Sequence, residues 1–273
     1  MKLKFPKIGA LGLACFGLLM TNVAKADSSV EGQYQGRNIV VQSPQSDDGF
    51  GFCITRVSVN GEPVSADVNS SAFQINFDEF DLDVGDPVMI VFEHDEGCKP
   101  KLLNPEVLLP KSTFQIQDIS CTPEGALSWS TTEESGKLTY YIEQYRWNKW
   151  VVIGEVNGVG TPELNNYLFY TVPHSGENKV RVSQIDNTGN KKPSQEVVFV
   201  ASNVLEPELN AMTKEKIIEF VAGGKRVKTK YEIFDAYGNI VKKGYNSIVD
   251  YSNLKSGVYH VNYDNKTDRI IVK

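Results

Sequence analysis

Almost nowhere in this chain do apolar residues recur at the spacing of an amphipathic helix. Short runs rich in Val, Ile, Tyr and Phe are instead separated by Gly, Asn, Asp and Pro. A chain punctuated in this way buries its apolar side chains by pairing strands into sheets and stacking the sheets, so the expected class is all-β, with three tandem β-sandwich modules. In the first, residues 54–59 alternate apolar and polar up to Asn60-Gly61, a tight-turn dipeptide. Phe73, Ile75 and Phe77 alternate again. Residues 88–92 are continuously apolar, the pattern of a strand buried on both faces. In the second, runs at 127–129, 140–144, 150–153, 167–171, 180–185 and 197–200 give the strand density of a fibronectin or immunoglobulin-like sandwich, with a turn at 147–149. In the third, residues 216–221 are expected as a strand because Gly223-Gly224 cuts off any helix. Residues 231–235 and 240–241 form a hairpin around Tyr237-Gly238-Asn239, and 257–263 and 269–272 close the sheet through a turn at 264–267. The expected divisions are an acidic N-terminal β domain over 27–110, a fibronectin type III-like domain over 111–202 and a terminal sandwich over 203–273.

The N-terminus has the form of a cleavable export signal. Lys2, Lys4 and Lys7 precede an apolar stretch over 8–20, and Ala24-Lys25-Ala26 supplies the small-x-small pattern for cleavage between Ala26 and Asp27. The apolar stretch is short for a membrane span, and no other segment approaches that length, so the mature chain is expected to lack a transmembrane segment. Cys15 would suit a lipoprotein, but Gly12 stands where a lipobox requires a branched apolar residue. Beyond the signal, residues 27–110 carry 4 basic and 15 acidic side chains, and 203–273 carry 12 and 9. The acidic front repels phosphate backbones and argues against nucleic acid as a partner.

Three cysteines follow the signal. In an oxidising compartment Cys53 and Cys98 are the expected pair, closing a long loop within the acidic module and worth roughly 3–4 kcal/mol by chain entropy. Cys121 is then expected as a buried free thiol.

No enzyme is expected. There is no Gly-x-Ser-x-Gly elbow, and neither His174 nor His260 sits in a recognisable nucleophile arrangement, so no catalytic residue is assigned. Asp78, Glu79, Asp81, Asp83 and Asp86 have the oxygen density of a calcium site without the ligand order of an EF-hand; a solvated acidic edge explains them equally well. His94-Asp95-Glu96-Gly97-Cys98 lacks the paired donors of a zinc site. No metal and no cofactor are expected. Tyr141, Tyr145, Trp147 and Trp150 form an aromatic group that suits either glycan stacking or the core and rim of a sandwich.

The terminal module is the most distinctive. Its three spaced motifs are 235–242 (Asp-Ala-Tyr-Gly-Asn-Ile-Val-Lys), 254–259 (Leu-Lys-Ser-Gly-Val-Tyr) and the ending 269–273 (Arg-Ile-Ile-Val-Lys). Together they resemble the type A C-terminal sorting domain by which Bacteroidota export proteins through the type IX secretion system. The usual Pro-Asn-Pro opening is absent, leaving Pro207 alone. The middle module is similar to the fibronectin-like sandwich that often precedes such a domain, and the first, with 52–54, 71–73 and 97–101, resembles part of a signalling component of the same pathway. The resemblance implies a folded address label read by a translocon and an outer-membrane shuttle protein, and a sensor histidine kinase as a further partner. It implies export through the inner membrane to the periplasm, outer membrane or cell surface. The sorting residues it marks are Asp235, Gly238, Val241, Lys242, Lys243, Leu254, Gly257, Tyr259, Ile270, Ile271, Val272 and Lys273, with an edge over 269–273 offered for strand addition. The expected function is a non-catalytic component of that system; the alternative is a secreted surface adhesin that is merely its cargo.

Overall fold

The computed structural model describes residues 25–47 and 49–273; of the signal segment expected over 1–26, residues 1–24 lie outside them. The described chain is all-β, interrupted by two short 3-10 turns, Phe77–Glu79 and Pro105–Leu108. Its buried apolar side chains fall into three separate cores, each between two sheets.

In the first sandwich the strands Lys25–Gln33, Pro87–Asp95, Ile54–Val59 and Glu62–Pro63 lie side by side in that order. They face a second sheet of Ala72–Ile75, Ile39–Gln42 and Lys101–Leu102. Ile39, Val41, Val59, Ile75, Ile90 and Phe92 are buried between them. Each such side chain contributes about 1.5–3 kcal/mol by leaving water. The expectation for 88–92 is corrected: Val88, Ile90 and Phe92 point inward, whereas Met89 is 44% exposed and Val91 half-buried. The strand is central in its sheet, but one face of an antiparallel sheet can stay open to solvent, and apolar residues here continue onto that open face. Asn60 and Gly61, at φ 49° and 90°, make the tight reversal that the sequence indicates. Cys53 and Cys98 form a disulfide across 45 residues.

The middle sandwich sets a sheet of Lys149–Asn157, Thr139–Arg146 and Glu177–Ile185, the last joined by both Lys191–Pro193 and Val197–Val200, against Asn165–Tyr170, Ala126–Thr132 and Gln115–Cys121. This is a fibronectin type III-like arrangement. Trp129 stacks on Tyr167 with ring centroids 5.1 Å apart, and Tyr140 meets both rings. Trp147 and Asn148, at φ 52° and 58°, turn the chain between two strands. Cys121 is free and half-buried, not buried as expected, because it ends a strand beside the open rim. Desolvation still pushes its thiol up to about 11.

A buried carboxylate ties the middle sandwich together where it meets the first. Glu134 Oε1 accepts from Thr131 Oγ1 at 2.5 Å, Tyr140 OH at 2.9 Å and Tyr167 OH at 2.7 Å, while Oε2 accepts from Gly160 N at 2.7 Å. Gln35 Nε2 donates across the boundary to Ser135 O. The contact needs glycine: a Cβ on Gly136 (φ 141°) would lie 1.9 Å from Gln33 Oε1 and 2.6 Å from Pro110 Cβ.

The terminal sandwich packs Glu208–Met212, Ile217–Ala222 and Lys225–Arg226, with Ile248–Asp250 also on Ile217–Ala222, against Ile240–Asn246, Thr229–Phe234, Gly257–Tyr263 and Lys266–Val272. Phe220, Ile233, Val261 and Tyr263 fill its centre. The final turn is shorter than expected. Tyr263 pairs with Lys266, so Asp264 and Asn265 alone reverse the chain, with Asp264 at φ 48°.

Candidate interaction surface

The sorting-motif residues divide by role. Asp235 builds the hairpin loop: its Oδ1 accepts from the backbone N–H of Tyr237 and Asn239, both at 2.9 Å, and Oδ2 accepts from Asn239 Nδ2 at 3.0 Å. These bonds, led by that from the Asn239 side chain, hold the Asp235 carboxyl below its usual range. Gly238 sits at φ 85° with open space where a Cβ would stand, so backbone conformation, not crowding, calls for glycine. Leu254 packs partly buried on the core, and Tyr259 is buried with its hydroxyl donating to Lys255 O at 2.9 Å. Ile270 and Val272 also enter the core.

What remains outward is the edge. Lys266–Val272 pairs on one side with Gly257–Tyr263 and, among the described residues, with no strand on the other. Its backbone polar groups on that side are available for strand addition. Ile271, 52% exposed, stands opposite Val258, 39% exposed, and the neighbouring pair is Arg269 with His260, both exposed. Gly257 opens the partner strand opposite Val272, and Lys273 is exposed beyond it.

Lys242 and Lys243 do not join this edge, although Lys266 and Arg269 lie on it. Val241, Lys242 and Lys243 lie on Ile240–Asn246, the opposite edge of the same sheet. Three strand spacings, roughly 14 Å, separate the two edges. Lys243 pairs opposite Glu232 and Lys242 opposite the inward Ile233, so consecutive lysines point to opposite faces. The structure therefore sets Lys242 and Lys243 on the edge opposite to Ile271, whose own strand carries Lys266 and Arg269 beside it.

The other sequence candidates are placed as follows. Ala26 and Asp27 pair through their backbones with His94 and Glu93 at the start of the first strand. Asp83 N donates to Asp86 Oδ2 at 2.9 Å, and Glu79 accepts from Ser65; among the described residues no three His, Cys, Asp or Glu side chains converge as metal ligands would. In the aromatic group Tyr145 meets Trp150 edge-on at 5.4 Å, Arg181 covers Trp150 at 4.0 Å from the ring centroid, and Lys149 lies 5.8 Å from that of Trp147. Cations thus occupy faces that a sugar would need. Among the described residues no helix is long and apolar enough to cross a membrane.

No protein-family model and no curated protein matches the chain. Solved structures do. The three fibronectin domains FN1–FN3 of chicken CNTN1 align with 90% of this chain and 95% of their own at 13% identity and a TM-score of 0.24. A tetra-tandem repeat from the extending region of a large adhesion protein aligns over 93% and 83% at 13% identity and a TM-score of 0.29. The BSP domain of a biofilm-associated protein aligns over 92% and 64% at 12% identity and a TM-score of 0.23. At these scores the likenesses carry no argument, and it is the strand pairing of the described residues that makes this chain an all-β protein of tandem sandwiches.

Proposed function

We propose that this chain is a non-catalytic envelope component of the type IX secretion system, resembling its PorA component, whose terminal sandwich is bound by the translocon and its outer-membrane shuttle. The carrying observation is the unpaired edge Lys266–Val272, which holds the last sorting motif and presents Ile271 outward while Ile270 and Val272 anchor it. A partner strand adds there through backbone bonds, and the Ile271–Val258 pair supplies apolar contact. A sensor kinase would reach the same module. The disulfide suits an oxidising compartment outside the cytoplasm.

The test is export of a periplasmic reporter fused to residues 203–273 in a host with the system. The intact fusion is expected at the cell surface. Ile271→Glu, which charges the exposed edge and leaves the core untouched, is expected to cut surface export at least about tenfold, equivalent to 1.4 kcal/mol of lost recognition. A reporter that stays in the periplasm with the intact segment sinks the proposal. The cargo reading shares the address and differs in consequence. Removing a machinery component stops export of many other proteins, and removing a cargo adhesin stops none.

A further inference from the structure

Where the middle sandwich meets the terminal one, two cations and, among the described residues, a single carboxylate border a cleft. Arg146 ends the strand Thr139–Arg146 and is 2% exposed. Its Nε donates to Gln144 Oε1 at 2.7 Å, Nη2 to Val172 O at 2.7 Å, and Nη1 crosses the boundary to Asp264 O at 2.9 Å. All three acceptors are neutral. Of the nearby carboxylates, Glu232 pairs with Lys149 Nζ at 2.6 Å, whereas Asp264, at the cleft itself, accepts only from the neutral donors Ser175 N at 3.1 Å and Ser175 Oγ at 2.5 Å, so its charge still acts on Arg146. Lys230, half-buried on the strand Thr229–Phe234, forms no ion pair and no side-chain hydrogen bond among the described residues. Burial, and then the Arg146 charge, lower the pKa of its ammonium. Burial also pulls the Arg146 guanidinium down to about 10, still fully charged at neutral pH.

Both side chains line the same space. One cavity of about 250 Å³ is bordered by Arg146, Val172, Thr229, Lys230, Tyr245 and Asp264. A second of about 250 Å³ shares Arg146, Val172, Lys230 and Tyr245 and adds Gln144 and Phe169. The Asp264 charge offsets one of these two cations, and the second leaves the half-buried cleft with one positive charge in excess, which is costly. Guanidinium and ammonium donors converging on a half-enclosed space are the arrangement that binds phosphate or carboxylate oxygens.

We propose that this cleft binds a small oxyanion, of the phosphate or carboxylate class, between the Arg146 guanidinium and the Lys230 ammonium. Because the donors come from both sandwiches, the bound anion also fixes the angle between them. The inference does not depend on the secretion reading.

The test titrates the full chain with phosphate, and separately with acetate, at an ionic strength held constant by chloride. Binding is followed by calorimetry and by the melting temperature. At least one oxyanion is expected to bind and raise the melting temperature where chloride does not. Lys230→Gln, which breaks no protein hydrogen bond, is expected to weaken binding at least about tenfold, whereas Lys255→Gln, outside the cleft, binds as the unaltered chain does. Lys230→Glu is expected to raise the melting temperature without added anion, by setting a carboxylate beside Arg146, and to lose the response to phosphate or acetate. Stabilisation no greater than that by chloride, or undiminished binding by Lys230→Gln, overturns the proposal.

Discussion

The two junctions of this molecule are built on opposite plans. Between the first and middle sandwiches the chains touch backbone to backbone. A Cβ on Gly85 would lie 3.0 Å from Gly160 O across the boundary, Gly136 and Gly160 leave no room for one, and the buried carboxylate of Glu134 is surrounded by four donors. Between the middle and terminal sandwiches the contact is made by long polar side chains around an open space, where the buried Arg146 donates to neutral acceptors only and Arg146 and Lys230 face the single carboxylate of Asp264. A satisfied anion in a close-packed seam makes a rigid joint. An excess positive charge beside a cavity makes a joint whose stability depends on what is dissolved around it.

The largest test of this contrast falls on the close-packed seam. Gly160 sits at φ 87°, and a Cβ there would lie 2.5 Å from Gly136 C and 2.5 Å from Lys137 N. Both are backbone atoms with no rotamer to move aside, so Gly160→Ala is expected to destabilise the middle sandwich by about 3 kcal/mol in urea unfolding, combining positive-φ strain with overpacking. An effect below about 1 kcal/mol would show that the seam yields as readily as the other. Glu134→Gln comes next. The amide keeps the shape but turns an N–H toward at least one of four donors, at an expected cost of about 2 kcal/mol. Unchanged stability in that variant would mean that the hydroxyls find other partners and that the carboxylate does not organise the seam.

The strands were legible in the sequence, and the seams were not. Alternation and turn dipeptides locate strands because the period of two and the positive φ of Asn60-Gly61 are local properties. The error at 88–92 was one of burial: an apolar run looks the same whether its second face meets protein or water, and Met89 and Val91 meet water or its margin. In the terminal sandwich the motifs of the resemblance turned out to be mainly loop and core, with Asp235 and Gly238 shaping a turn and Tyr259, Ile270 and Val272 packing inside. Only Ile271 among its last apolar residues is free to face a partner. Arg146 and Glu134 escaped notice because several of their partners are distant in sequence, up to 118 residues away for Arg146. One signal was present. Tyr140, Ile142, Gln144 and Arg146 share the inward parity of one strand, and that row changes from apolar to charged as it approaches the boundary.

At the open joint the expected effects are smaller. Asp264→Asn keeps the backbone carbonyl that Arg146 uses but replaces the charged acceptor of two Ser175 bonds. A loss of about 1 kcal/mol is expected, read as a lower melting temperature for the terminal sandwich with the first unaffected. The smallest effect belongs to Lys149. Its ammonium, on a side chain that is 42% exposed, reaches Glu232 Oε2 at 2.6 Å, and the Glu232 side chain is 10% exposed, so water screens the lysine end of the pair alone. Lys149→Met is expected to cost less than about 1 kcal/mol, because that end is already solvated and a methionine can still cover the Trp147 and Phe234 rings over which the ammonium lies. That variant also frees the Glu232 carboxylate on the same strand as Lys230. If the freed carboxylate turns to Lys230, Lys149→Met will weaken phosphate or acetate binding in the cleft while leaving stability nearly unchanged. Calorimetry and melting on one variant therefore separate the joint as a mechanical link from the joint as a binding site.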